Sequence, residues 1–334
     1  MAALPRIAII GTGGTISGVG KDRLDFYEYG TSGRFMHVDE LIATVPELSD
    51  VADIKPVRYK NVGSGEIGPG DWLALLGIIH KSVAEDPELA GIVITHGTAT
   101  LEETAYFLNL AVKVSVPVVV VGAMRPSSAI GTDSGINLLN AVRVAASPGA
   151  RGLGALVVLN DEINAARDVA KTSNYRVQTF VSQDFGLLGY ADPDGVKFYR
   201  KPSRRGTPDT EFNVAGLVEL PRVDIVLAYA GADAAFVDAA VAAGAKGIVS
   251  SGFPSGSPSP AQLEALKKAA KAGVIVVQSS RAGTGRVIDD KVSLREAGFL
   301  AADSLTAQKA RILLMMALTV TNGITEIRRM FEQY

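Results

Sequence analysis

GIVITHGTATLEETAYFLNL, residues 91–110, begins as one kind of element and ends as another. GIVIT (91–95) is a continuous apolar run, the pattern of a strand buried on both faces. In TLEETAYFLNL (100–110) the apolar residues return at helical spacing, and Thr100-x-x-Glu103 fits a capping box at the helix start. Strand, tight loop and helix in this order are the repeating unit of a parallel α/β sheet. The loop between them, THGTAT, crowds hydroxyls, an imidazole and a glycine at a strand end. Yet Ala99, at its centre, carries nothing that can do chemistry.

The same alternation runs through the chain. RIAIIG (6–11), PVVVVGA (117–123), GALVVLND (154–161), VDIVLAYA (223–230), GIVSSG (247–252) and GVIVVQSS (273–280) read as further strands. AAFVDAAVAAG, PAQLEALKKAAKAG and TAQKARILLMMALTV read as helices, with Gly244 and Gly273 at C′-like positions. DPDGVKF (192–198) reads as a turn inside a hairpin. Only RKPSRRGTPDTEFN (200–213) is polar, basic and without period. The expected organisation is therefore a larger α/β domain over 1–199, a linker over 200–217 and a smaller α/β domain over 218–334.

Composition narrows the functional classes. The chain has 334 residues, 47% apolar and 20% charged, with a formal net charge of −2. That charge argues against nucleic acid as a partner. The absence of any long apolar run argues against a membrane span. With no Cys and three His, neither a thiol nucleophile nor a His-built metal site is expected, and no cofactor is implied. The start, MAALPRIAII, lacks a basic leader and runs into a strand, so the expected location is cytoplasmic, or periplasmic if a leader has been removed.

Ligands of open parallel sheets bind outside the carboxyl ends of the strands, so the loops there hold the candidates. GTGGTIS (11–17) sets Thr15 among glycines, which suits a nucleophile on a mobile lid; it is neither GxGxxG nor a P-loop. NVGSGEIGPGDW (61–72) offers Ser64 and Glu66. THGTAT offers His96 and Thr98. In GAMRPSSAIGTDSGINLLNAV, Asp133 and Asn137 could tie loops together. NDEINAARDVAKTSN (160–174) offers Lys171 beside Arg167 and Asp168. An amide needs a nucleophile, an oxyanion site and a proton for departing ammonia. A Lys serves as base only if burial or nearby cations, Arg167 being a candidate, depress its pKa. His96 reads as a satisfied loop histidine.

TGGTI, NVGS, THGT-TLEETAYF, VVVVGAMRP, ARDVAKT, GLLGY and QKARILL occur in this order over essentially the whole chain. In this combination the sequence resembles the bacterial asparaginase/glutaminase family of amidohydrolases. The resemblance implies a doubly wound, mainly parallel N-terminal domain, a smaller C-terminal α/β domain, and a homotetramer built as a dimer of dimers. In such a tetramer one subunit's C-terminal domain completes a neighbour's active site. It implies Thr15 as nucleophile, Tyr27 as its partner (Tyr29 competing), and Thr98 with Lys171 as a second pair. Ser64 is implied as a ligand of the substrate carboxylate. Gly14, Gly65, Glu66, Gly97 and Ala99 line the same place, with the N–H of Thr98 or Ala99 as oxyanion donor. Ser257, in PSGSP, stands where the neighbour supplies an Asn.

The departures from the family lie together. The family has Asp at the position of Ala99, where it grips the substrate's ammonium. It has Gln or Glu where this chain has Gly65. It has a Glu downstream of the SSR segment, where AGTGRVIDDK offers only Asp289 or Asp290, with Arg286 in the same region. Removing one partner of a buried charge pair costs about 2–5 kcal/mol. Losing several should weaken free L-asparagine as substrate. The expected function is a small-amide hydrolase of asparagine metabolism with specificity shifted from L-Asn. An ordinary low-affinity asparaginase/glutaminase and a non-catalytic sensor are the alternatives.

Overall fold

The strand RIAIIGTG (β1, Arg6–Gly13) lies between β2 (Asp53–Val62) and β3 (Leu89–Thr95) in a computed structural model that describes residues 3–289 and 291–334. β4 (Val118–Val121) and β5 (Ala155–Leu159) follow, and these strands are all parallel in the order β2-β1-β3-β4-β5. An antiparallel extension of β6 (Glu162–Ala165), β7 (Gly189–Asp192) and β8 (Gly195–Phe198) completes an eight-stranded sheet. The DPDG turn closes the expected hairpin between β7 and β8.

Both faces of this sheet are covered. Helices α1 (Pro69–Glu85) and α2 (Leu101–Ala111) pack on each other and on the central strands. Helix α3 (Ser134–Ala146) packs its Leu138, Ala141 and Val142 into a cluster with Ile7, Ile9, Val93, Val119 and Leu156. The alternate residues Ala8, Ile10, Ile94 and Val120 point the other way and are equally buried. Two buried faces are why these strands read as apolar runs without alternation. β2 is the exception. Its sequence, DIKPVRYKNV, is mostly exposed or half-buried because it is an edge strand, where charges and Pro56 are tolerated.

From β1 the chain passes to β2 on one side and then to β3 on the other. The strand order reverses there, so the switch-point crevice opens at the carboxyl ends of β1 and β3. These ends carry GTGGT and THGT.

The chain divides into two compact units, Met1–Thr210 and Glu211–Tyr334. In the second, β9 (Val223–Leu227), β10 (Gly247–Gly252), β11 (Ile275–Ser280) and β12 (Leu300–Ala301) form a parallel sheet in sequence order. Helices α4 (Ala235–Ala242) and α5 (Pro260–Lys271) bury Val237, Leu266 and Ala269 against Val226, Ile248 and Val276. Gly244 and Gly273 follow these helices with φ of +83° and +90°. No helix or strand lies between Phe198 and Val223. The first part of that segment is nevertheless fastened to the first unit: Thr207 N–H donates to the Asn109 carbonyl (2.8 Å), and Lys113 Nζ donates to Thr210 Oγ1 (2.6 Å).

Trp72 is the sole tryptophan and is buried against Phe107, so its fluorescence reports on the first unit. Ile94→Ala is expected to lower the stability read by urea titration of this signal by about 2–5 kcal/mol. Val218→Ala, at a position 93% exposed in the second unit, should leave the same titration unchanged to within about 0.5 kcal/mol.

Candidate active site

Glycines decide how closely the strand-end loops approach one another. Gly13 and Gly14 have φ of +102° and +82°, a region side chains disfavour. A Cβ on Gly13 would lie 2.4 Å from the backbone N of Val62, and one on Gly14 would lie 2.2 Å from the Cα of Gly97. A Cβ on Gly97 would lie 2.8 Å from Ser64 Oγ. Gly14 N–H donates to the Val62 carbonyl (2.9 Å), and Thr12 Oγ1 donates to the Thr95 carbonyl (2.9 Å). The ends of β1, β2 and β3 therefore touch backbone to backbone, and Thr15, Ser64 and Thr98 leave from one place.

Thr15 begins a short 3-10 turn, Thr15–Ser17. The carbonyl of Ile16, inside that turn, accepts hydrogen bonds from Ser127 Oγ and Ser134 Oγ, both at 2.7 Å. Ser128 Oγ accepts from Gly20 N–H at 2.9 Å. The loop after β4 thus holds the Thr15 loop. It is itself built on Asp133, whose carboxylate accepts from the N–H groups of Met124 and Arg125 and from Asn137 Nδ2.

Tyr29 faces Thr15, with the two hydroxyls 2.7 Å apart. This corrects the expectation that placed Tyr27 there. The short helix Tyr29–Ser32 starts at Tyr29, whose ring lies over Gly18, where a Cβ would come within 2.8 Å of it. Tyr27 stands in the bend before the helix and is 73% exposed.

Thr98 meets Lys171. Lys171 lies in a two-residue strand paired with Phe180–Val181, and its Nζ donates to Thr98 Oγ1 at 2.7 Å. Burial pushes its pKa below the ordinary lysine value, opposed by the Glu102 carboxylate. Arg167 is ion-paired with Asp168 at 3.1 Å. Glu102 does more than start a helix: its carboxylate accepts the backbone N–H of Lys171 at 2.6 Å. Its place in the first turn of α2, one turn past Thr98, is the signal that sequence reading passes over. The Thr100 side chain does not cap α2; its Oγ1 donates to the Ser64 carbonyl instead (2.7 Å).

Ser64 Oγ accepts the N–H of Ala99 at 3.1 Å, which leaves its own proton for a ligand. The N–H of Thr98 has no backbone acceptor among the described residues, so of the two expected oxyanion donors it is the one left over. His96 sets its direction. The imidazole is fully buried and its pKa is pushed down to about 4 by that burial. Nδ1 lies 2.8 Å from the Gly97 carbonyl, which can only accept, so Nδ1 carries the proton. Nε2 then accepts from Thr104 Oγ1 (2.9 Å), which accepts from Trp72 Nε1 (2.9 Å). Pinning the Gly97 carbonyl fixes the whole planar peptide, including the Thr98 N–H on its other side.

Beside Ser64, Gly65 and Ala99 are exposed, and a Cβ on Gly65 would meet nothing within 4 Å. Glu66 is exposed, and its carboxylate makes no hydrogen bond or ion pair among the described residues. In the second unit, Ser257 Oγ accepts from Lys291 Nζ at 2.5 Å. Asp289 is ion-paired with Arg328, and Arg286 with Asp303. Asp290 lies outside the described residues. No group of acidic and histidine side chains able to hold a metal occurs among the described residues.

Two family models cover nearly all of the chain: one described as Asparaginase, N-terminal, matches residues 6–204, and one described as Glutaminase/Asparaginase C-terminal domain matches residues 222–331. The chain belongs to the asparaginase family. Like its curated members, it is an amidohydrolase acting on linear amides. L-asparaginase 2 of Bacillus subtilis is 46% identical over 331 residues, covering 99% of this chain and 87% of that protein. The glutaminase-asparaginase of Pseudomonas fluorescens biotype A is 40% identical, with 99% and 91% covered. The crystal structure of a probable cytoplasmic L-asparaginase from Campylobacter jejuni superposes with a TM-score of 0.94 at 42% identity, covering 99% of this chain and all of that one.

The loop geometry separates two glycines of this family site. Gly14→Ala should cost stability by about 1–3 kcal/mol or more and abolish amide hydrolysis, because the methyl group meets the backbone of His96 and Gly97 and the residue has a positive φ. Gly65→Ala meets open space and should leave stability unchanged to within about 0.5 kcal/mol. Urea titration and ammonia release on the two variants check the pair.

Proposed function

We propose that this chain cleaves a carboxamide to carboxylate and ammonia through an acyl-enzyme on Thr15, and that its preferred substrate is not free L-asparagine. The observation that carries the reading is a site with the Thr15–Tyr29 and Thr98–Lys171 pairs in place and only a methyl group, Ala99, beside Ser64. Thr15 Oγ attacks the amide carbon while Tyr29 accepts and passes on its proton. The Thr98 N–H receives the developing oxyanion. Neutral Lys171, acting through Thr98, takes up the proton released by Thr15 and returns it to the amide nitrogen, so that the C–N bond breaks and ammonia leaves. Water then hydrolyses the Thr15 ester and restores the hydroxyl. Ser64 binds the carboxylate of the substrate.

The specificity follows from charge. An α-ammonium needs anions around it, and near Ser64 the chain offers Gly65 and Ala99, with Glu66 exposed. Asp289 is held by Arg328. An amide with a carboxylate and a masked, missing or inverted amine fits better, as does a larger one using the space at Gly65. A second reading, a low-affinity L-asparaginase or glutaminase, is favoured by relatives at 36–46% identity that carry the names L-asparaginase and glutaminase-asparaginase. We further propose that the chain works as a homotetramer in which the second unit completes a neighbour's site. A cytoplasmic location agrees with the Campylobacter protein, described as a probable cytoplasmic L-asparaginase; the Haemophilus influenzae relative is named periplasmic.

Ammonia release from L-Asn, D-Asn, L-Gln, succinamate and N-acetyl-L-asparagine tests the reading. Succinamate or the acylated amide should exceed L-Asn in kcat/KM, and Thr15→Ala should abolish all turnover. Ala99→Asp should raise kcat/KM for L-Asn about tenfold or more, since it returns one charged partner. Efficient hydrolysis of L-Asn by this chain, with Ala99 unchanged, would favour the second reading.

The pH profile tests Lys171. If its neutral form is the base, activity rises with pH, with a midpoint below the ordinary lysine value of 10.5 because burial lowers the pKa. Glu102 opposes that shift, so Glu102→Gln should move the limb to lower pH. A limb that stays in place in this variant would remove Lys171 from the proposed role.

A further inference from the structure

Lys291 belongs to the second unit, and its ammonium is held by hydroxyls. Its Nζ donates to Ser257 Oγ (2.5 Å) and Ser255 Oγ (2.9 Å) and lies 3.5 Å from the Ser255 carbonyl. Among the described residues no carboxylate pairs with it. Among the described residues nearby, Arg286 pairs with Asp303, Asp289 with Arg328, and Arg281 lies over the Phe253 ring at 4.9 Å.

The turn that presents the two serines is tightly specified. Ser255 has a φ of +69°, which a side chain adopts only where the surroundings enforce it. Gly256 follows at +82°, and a Cβ there would lie 2.6 Å from Val287. Phe253 N–H donates to the Ser257 carbonyl and Gly256 N–H to the Phe253 carbonyl, both at 2.7 Å. The result sets two hydroxyls side by side on one cation. Each hydroxyl oxygen accepts from the ammonium, so each O–H proton is free and polarised outward. A half-buried cation with two such donors is complementary to a carboxylate.

We infer that Lys291, Ser255 and Ser257 form a carboxylate subsite that recognises a second acidic group on the substrate, such as the free end of a dicarboxylic acyl substituent on the amine. The inference rests on the proposal that the second unit completes a neighbour's site. It supplies a counterpart to the changes around Ser64: Gly65 and Ala99 bring no charge there, and the second unit presents a cation. The substrate class is then an amide with two carboxylates, one for Ser64 and one for Lys291.

The test compares ammonia release from N-succinyl-L-asparagine and from the methyl ester of its succinyl carboxylate, two amides of nearly equal size that differ by one charge. Succinamate and L-Asn are included as references. The acid should be favoured over the ester about tenfold or more in kcat/KM, the range for a hydrogen bond to a charged group. Lys291→Met should bring that ratio to one, and Lys291→Arg should keep part of it. Ser257→Ala, a smaller change, should lower the ratio in the same direction and carries the test if the methionine variant does not fold. Equal turnover of acid and ester, or a ratio that survives Lys291→Met, overturns the subsite and leaves the proposed function standing if succinamate is still cleaved faster than L-Asn. L-Asn exceeding every other amide, or no hydrolysis of any of them, overturns both.

Discussion

Everything at this site depends on one close approach, the backbone of Gly14 against the backbone of Gly97. It exists because the loops leaving two neighbouring strands of a parallel sheet, Arg6–Gly13 and Leu89–Thr95, meet at residues without side chains. The order reversal between β1 and β3 opens a crevice there, and the glycines let the loops that leave it approach backbone to backbone. Three side chains with hydroxyls follow directly: Thr15 after Gly14, Thr98 after Gly97, and Ser64 across from Gly97. None of them needs a long or flexible arm to reach the site.

The polar groups around that contact are arranged for direction as much as for charge. A chain of single donors runs from Trp72 through Thr104 and His96 to the Gly97 carbonyl and fixes one peptide plane. A buried neutral imidazole does this where a charged one would carry a desolvation cost. Lys171 is treated in the opposite way. It is partly buried, so its charge is disfavoured, yet Glu102 holds both its backbone and part of its charge. Ala99 adds no charge to this balance; its backbone N–H donates to Ser64 Oγ and its side chain is a methyl group.

Much of this is legible in the sequence, for definite reasons. Strands buried on two faces leave apolar runs, and β1, β3, β4 and β5 are found that way. The edge strand β2 is not, because DIKPVRYKNV has one exposed side and no apolar run. Ser64 and Thr98 can be placed near one another because they lie in short loops at strand ends, where sequence position nearly determines spatial position; Lys171 reaches Thr98 from a two-residue strand. Tyr27 is misassigned because Tyr-Glu-Tyr puts two candidates two residues apart, and only the start of a one-turn helix at Tyr29 decides between them. Contacts between distant segments are out of reach. Nothing local in KVSLRE announces that Lys291 will sit on Ser255 and Ser257, and nothing in LEET shows that Glu102 will take the Lys171 N–H. Asp289 looks available in the sequence, and only its pairing with Arg328 removes it.

The central claim is that Thr15, at the switch point, is the residue that becomes acylated, with Thr98 serving Lys171. Acid quenching during turnover of succinamate, followed by mass spectrometry of the peptides, tests it most directly. The account predicts a succinyl ester on the peptide that contains Thr15, absent from Thr15→Ala protein. A succinyl ester on the peptide containing Thr98 would contradict it.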